Sequence, residues 1–383
     1  MLFARTARGL VAGPASSTEA SSPLVPLALV LCRGKATAAQ PRPRHEQDED
    51  VAGQRAAGTA ARASSQYEDL LAQLQEREVR IPVPWGHIAG KWWGRTDRRP
   101  LVALHGWGDN AGSFERLAGS LRGVPVLALD LPGHGLSSRV PRGVAPADRG
   151  LLLTTLRRVQ RALGLTTVSL VGHSLGDAVA LIYAATYPTD VDMYVSLDTL
   201  VPAPADADAE LKASGPLVDE LLDAEERMGK ASNDVPRAQL LDDLLAGRGG
   251  SLNRHAAETL LRRGAEGSGA SMQATVDPRV MRAPLLPAAL ALACARSVRC
   301  PALAVLPQWR GPRALSADEE LRERFLADLR MASKTVTTVT VNGTHHVHLN
   351  SPEVVVPALN EFLDQHRQAD AKDHSVQLAS FFV

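Results

Sequence analysis

Five consecutive residues, Gly172-His173-Ser174-Leu175-Gly176, have the types and order of a serine nucleophile set in a tight turn. They follow an apolar run, Thr167 to Val171, and precede a segment of helical period starting near Asp177, the strand, turn and helix succession that a nucleophile elbow requires. Glycine on either side lets the backbone hold the serine in a strained conformation, hydroxyl above the carboxyl edge of a sheet. The N–H of Leu175, at the start of the helix, is then a candidate donor to an oxyanion. A second segment, His105-Gly106-Trp107-Gly108-Asp109-Asn110, ends another apolar run. The N–H of Trp107 is the candidate second donor, each such donor being worth about 3 kcal/mol of transition-state stabilisation. The Trp107 ring reads as a pocket wall, and Asp130-Leu131-Pro132-Gly133-His134-Gly135-Leu136-Ser137 reads as turn architecture.

A serine hydroxyl attacks a carbonyl at neutral pH only if an imidazole takes its proton and returns it to the leaving group. The segment from Val341 to Leu349 offers His345, His346 and His348. His345 is the candidate base because it follows the Gly343-Thr344 break; in an extended segment His346 points the opposite way, and His348 could line an acyl pocket. The plainer reading of three clustered histidines is a surface cluster or an adventitious metal site.

These residues need a scaffold. Continuous apolar runs lie at Pro100 to Leu104, Pro125 to Leu129, Thr167 to Val171, Met193 to Leu197, Ala302 to Leu306 and Thr335 to Val341. Segments of helical period such as Leu151 to Leu163 and Ala178 to Tyr187 separate most of them. Buried strands alternating with helices predict an α/β fold, a mainly parallel sheet covered on both faces. Residues 77–93 alternate around Pro84-Trp85-Gly86 and predict a hairpin ahead of that sheet. From Val201 to Arg299 the chain shows helical period without convincing strands, too long for a loop, and reads as a helical cap. The expected organisation is a targeting or disordered segment over 1–65, core over 66–200, cap over 201–299, core again over 300–368 and a tail over 369–383.

The 383 residues, 45% hydrophobic and 22% charged, can bury a sizeable core and are neither collagen, coiled coil nor mucin. Basic and acidic side chains balance at 42 each, so no global field draws nucleic acid or an anionic membrane. Cys32, Cys294 and Cys300 are too scattered for a disulfide framework or a cysteine zinc site and are expected as reduced thiols. No run approaches the roughly 18 apolar residues of a membrane span. Near the N-terminus Arg5, Arg8, Arg33, Lys35, Arg42 and Arg44 face a lone Glu19 among many Ser and Ala, the pattern of a mitochondrial transit peptide or of an unstructured tail. An intracellular place, cytoplasmic or mitochondrial, is the expectation.

From about Trp85 to Leu363 the chain resembles the α/β-hydrolases, and within them the animal serine hydrolase-like proteins. The likeness rests, in order, on Trp85-Gly86-His87-Ile88-Ala89, His105-Gly106-Trp107 with Asp109-Asn110 and Ser113-Phe114, Gly133-His134-Gly135-Leu136-Ser137-Ser138, the Ser174 turn, Leu197-Asp198-Thr199 and Gly343 to Leu349. It implies an eight-stranded, mostly parallel sheet with helices on both faces, a helical cap between strands six and seven, and a Ser, acid, His triad in that chain order. Related epoxide hydrolases and haloalkane dehalogenases use an aspartate at the turn, and Ser174 argues against both.

Two residues depart from the resemblance. The acid usually follows strand seven, yet Leu306 to Arg313 holds no carboxylate, and Asp318 fits the first turn of the next helix. Asp198, at the end of strand six, is the substitute, a purely structural role being its alternative. Asp177 stands where glycine is expected and reads as a helix cap rather than a group facing the oxyanion. The implied activity is serine hydrolysis of a carboxylic ester, thioester or amide with a small to medium apolar acyl group. Ser174 attacks, His345 is base and then acid, Asp198 orients the ring, and the N–H groups of Leu175 and Trp107 hold the oxyanion. Covalent catalysis of this kind calls for no cofactor and no metal. The competing reading is a catalytically impaired pseudo-enzyme or small-molecule binding protein that keeps the pocket.

Overall fold

In a computed structural model that describes residues 75–199, 207–228, 234–268, 271–280, 286–309, 319–367 and 380–383, the apolar runs are strands and the periodic segments between them are helices. The first half holds β1 (Glu76–Val83), β2 (Gly86–Trp93), β3 (Leu101–Leu104), α1 (Glu115–Ala118), β4 (Val126–Leu129), α2 (Arg149–Ala162), β5 (Val168–His173), α3 (Leu175–Thr186) and β6 (Val191–Leu197). Then come α4 (Ala207–Arg227), α5 (Arg237–Gly247), α6 (Arg254–Gly264), β7 (Ala265–Ser268), β8 (Ser271–Ala274) and α7 (Ala288–Ala295). The chain closes with β9 (Ala302–Pro307), α8 (Glu319–Ala332), β10 (Val336–Val341), α9 (Val347–Asn350) and α10 (Val356–His366). All described residues belong to one compact unit, Ser65–Val383.

Eight strands form one sheet in the order β1-β2-β4-β3-β5-β6-β9-β10. β2 is antiparallel to both its neighbours, the predicted hairpin partner β1 among them, and the remaining pairings are parallel. Side chains alternate across the sheet. Leu101 and Ala103 of β3 enter a core with Phe114, Leu359 and Phe362, whereas Val102 and Leu104 enter the opposite one with Leu156, Val179 and Leu292. Burial of both faces is why these strands read as unbroken apolar runs.

The stretch expected to be a purely helical cap differs in two respects. It carries an antiparallel hairpin, β7 with β8, in which Ala265 faces Ala274. The sequences Ala-Glu-Gly-Ser and Ser-Met-Gln-Ala are short and largely exposed, so no apolar alternation marks them. Its last helix, α7, joins the main core, where Ala291, Leu292, Cys294 and Ala295 share a cluster with Val179 of α3 and Phe325 of α8. Cys294 and Cys300 are separate buried thiols. Residues 310–318, including Asp318, and the segment 1–74 lie outside the described residues. Among the described residues, no helix is long and apolar enough to cross a membrane.

At the centre, around the turn from β5 to α3, backbones pack so closely that two glycine positions have no room for a side chain. A Cβ on Gly176 would lie 2.0 Å from the Leu104 carbonyl oxygen of β3, and one on Gly172 would lie 2.4 Å from Asp177 Cα. Backbone cannot give way as a flexible side chain can. Gly176→Ala is therefore expected to cost about 3 kcal/mol or more of folding stability, read as a lower urea midpoint; an unchanged midpoint would refute the packing argument.

Candidate active site

The close packing at Gly172 and Gly176 forces the turn that presents Ser174. Its backbone has φ 53° and ψ −115°, outside the favoured regions for a side chain with a Cβ. Among the described residues, the non-glycine positions with positive φ are Ser174 and Asp198, at φ 53° and 72°. Both end neighbouring parallel strands, β5 and β6, at the carboxyl edge of the sheet. Backbone strain kept at two adjoining strand ends points to a site there.

Helix α3 begins at Leu175. The N–H of Gly176 donates to the His105 carbonyl at 3.0 Å and that of Asp177 to Ser174 O at 3.0 Å. The Leu175 N–H takes no part in these bonds and, as one of the first donors of a helix, has no partner within it. Trp107 follows β3 and is half-buried, its ring 5.9 Å from the Arg248 guanidinium carbon. The next residue is pinned, because the Gly108 N–H donates to His134 Nε2 at 3.0 Å while His134 Nδ1–H donates to Pro132 O at 3.0 Å.

The loop after β10 carries the three histidines to this edge. His345 is half-buried and its Nδ1–H donates to Asp198 Oδ2. Burial raises the Asp198 carboxyl above its ordinary value, and the His345 ring opposes that rise. The backbone of His345 is fixed too: its carbonyl accepts from His173 Nε2–H at 2.9 Å, and the two rings lie 4.5 Å apart. His345 is thereby coupled to the residue preceding Ser174. His348 is fully buried, with Nε2 2.8 Å from Ser113 Oγ and its ring beside Phe114. His346 turns away from Asp198 and lies 3.3 Å from Asp109 Oδ2.

Asp177 is not a helix cap. Ser174 occupies the cap position, and the Asp177 side chain turns inward, accepting from Tyr194 Oη at 2.5 Å and Ser196 Oγ at 2.7 Å. Those hydroxyls sit on β6, side by side with β5, an arrangement the local sequence does not display. Asp130 does build its turn, accepting from the N–H groups of Ala111 and Leu136, each at 2.8 Å, and from Arg263 Nε at 2.7 Å. Sequence reasoning assigned no role to Asp109 or Arg248, which form a buried pair at 2.6 Å across 139 residues.

A cavity of about 230 Å³ adjoins Leu175, walled by Leu152, Leu153, Val179, Ile182 and Leu286, with Asp148 and Arg149 also lining it. A wider groove of about 640 Å³ lies elsewhere, among Glu115, Arg116, Pro352 and Glu353, and touches neither strand end. The smaller cavity is the one in contact with the serine turn.

Residues 99–266 match the family model described as the alpha/beta hydrolase fold. A "Probable serine hydrolase" of Drosophila melanogaster is 33% identical over 319 residues, covering 81% of this chain and 95% of that protein. A "Serine hydrolase-like protein" of Mus musculus is 30% identical over 298 residues, covering 75% and 95%. Among solved structures, a hypothetical protein of Pseudomonas aeruginosa PAO1 superposes with a TM-score of 0.62 at 29% identity, covering 76% of this chain and 98% of that one. The thioesterase domain from the curacin biosynthetic pathway gives 0.61 at 20% identity, covering 76% and 99%, a likeness of fold alone.

The buried Asp177 makes stability depend on pH. Burial pushes its carboxyl up to about 7, more than the Tyr194 and Ser196 hydroxyls pull it down. A carboxyl whose folded value exceeds its unfolded value of 3.8 binds more protons when folded, so stability is full below about pH 4 and is lost as pH rises toward about 7. Asp177→Asn removes that loss: the variant is expected to gain on the wild type across this window in denaturation measured at several pH values. A constant difference would show that Asp177 does not titrate there.

Proposed function

Because the chain belongs to the serine hydrolase-like family of the α/β-hydrolase superfamily and is a hydrolase by that kinship, we propose that it cleaves a carboxylic ester, thioester or amide through an acyl-enzyme on Ser174. The observation that carries the proposal is the Asp198–His345 hydrogen bond at the strand ends, with Ser174 strained beside it. A proton on Nδ1, held by the carboxylate, leaves Nε2 as the basic nitrogen, the tautomer a general base needs.

In this reading Ser174 Oγ attacks the substrate carbonyl while His345 Nε2 takes the hydroxyl proton. The oxyanion is held by the N–H groups of Leu175 and Trp107, and the imidazolium is stabilised by Asp198. Collapse expels the leaving group, which receives the proton from His345. Water then attacks the acyl-enzyme, giving its proton to His345, and the carboxylic acid departs as Ser174 regains its hydrogen. The acyl part fits the apolar cavity beside Leu175, which at about 230 Å³ lies below the roughly 300–1,000 Å³ of drug-sized sites and supports a small to medium acyl group.

A fluorophosphonate probe applied to purified protein tests the assignment. Wild type is expected to label, Ser174→Ala not at all, and Asp198→Asn more slowly by up to about four orders of magnitude. Folded wild-type protein that does not label would favour a binding protein that has kept the pocket and lost turnover.

A further inference from the structure

Behind Ser174 one ring nitrogen of His173, one of His346 and a carboxylate oxygen of Asp109 converge. His173 Nε2–H donates to the His345 carbonyl at 2.9 Å, and a carbonyl only accepts, so Nδ1 of the neutral ring carries a lone pair. His346 is fixed in like manner. Ser251 Oγ donates to the Arg248 carbonyl at 2.8 Å and so accepts from His346 Nδ1–H at 3.0 Å, leaving Nε2 bare.

The two bare nitrogens face one carboxylate oxygen. Asp109 Oδ2 lies 3.7 Å from His173 Nδ1 and 3.3 Å from His346 Nε2, and the three atoms fall within 4.8 Å of one another. His173 is 0% and Asp109 3% exposed, and neither His173 Nδ1 nor Asp109 Oδ2 has a hydrogen-bond partner among the described residues. Arg248 does not fill the gap, because it engages the other oxygen, Oδ1, at 2.6 Å. Leaving such atoms buried and unpaired costs free energy that a shared cation would recover.

The dimensions suit a particular kind of cation. Tetrahedral zinc with bonds of about 2.0–2.1 Å sets neighbouring ligand atoms about 3.3–3.5 Å apart. Two imidazole nitrogens and one carboxylate oxygen favour a transition ion over magnesium or calcium. Each ligand is oriented by a further group, His173 by the His345 carbonyl, His346 by Ser251 and Asp109 by Arg248, as metal ligands ordinarily are. Gly106 keeps one flank open: a Cβ there would lie 2.8 Å from His173 Nδ1 and 3.2 Å from Asp109 Oδ2.

We propose that Asp109, His173 and His346 bind one divalent transition-metal ion of the zinc class. The ion ties the loop after β3, the serine turn and the histidine loop together, and revises the expectation of no metal. It acts by positioning: an ion on His173 Nδ1 polarises the ring and strengthens the Nε2–H bond that holds the His345 backbone. The proposal does not depend on the hydrolytic reading and fails or stands separately from probe labelling.

Full-length protein stripped with a chelator and titrated with Co²⁺ tests it. The expected result is one equivalent bound, with the visible absorption of a tetrahedral site, displacement by Zn²⁺, and a raised melting temperature with either ion. His346→Gln is expected to abolish this binding. Ser251→Ala, which removes no ligand and no charge, is expected to weaken it about 10-fold or more. Folded wild type that takes up no stoichiometric Co²⁺ or Zn²⁺ overturns the proposal, and so does binding that is unchanged in both variants.

Discussion

Backbone pressed against backbone at the end of β5 is the constraint from which the site follows. With Gly176 against the Leu104 carbonyl and Gly172 against Asp177, the chain has no room for a gradual passage from strand to helix. The residue between must take the strain, and Ser174 does, at φ 53°. A helix started so abruptly leaves the Leu175 N–H without a partner inside it while Gly176 and Asp177 are tied to His105 and Ser174, so the strained serine and the unengaged N–H arise from one steric event.

The carboxyl edge is crowded with acids, and the protein treats each differently. Asp130 is fully buried and satisfied by two backbone N–H groups and Arg263. Asp177 is buried with two hydroxyls and no cation, so its proton stays on to near neutrality. In Asp109 burial would push the proton on, but the Arg248 guanidinium, the foremost of the opposing groups, helps hold the carboxyl well below its ordinary value. Asp198 alone of these four is partly open, and it accepts from His345. Environment, rather than residue type, sets these four carboxylates apart.

The sheet was readable because its strands are buried on both faces: runs such as Leu101 to Leu104 carry their own signature. The serine turn was readable because glycine, serine and glycine sit within five residues. Asp198 was found at a strand end, although the residues themselves left its structural role open. What could not be read depends on partners remote in the chain. The inward turn of Asp177 needs Tyr194 and Ser196 on the adjacent strand, and the Asp109 cluster needs Arg248 and His346 from two different segments. The hairpin β7–β8 was missed for another reason, since exposed polar strands have no face to bury and leave no alternation.

Arg248 and Arg263 both belong to the insertion between β6 and β9, and each ends on an aspartate of the sheet platform, Asp109 and Asp130. Those aspartates are 3% and 0% exposed. An α/β core trimmed of the insertion would retain two carboxylates shaped for guanidinium partners that had been cut away, and an abandoned buried charge costs about 3–5 kcal/mol. The insertion is thus no removable accessory. Through these two arginines the insertion and the loops beneath it hold each other's charges, and neither part keeps its balance once parted from the other.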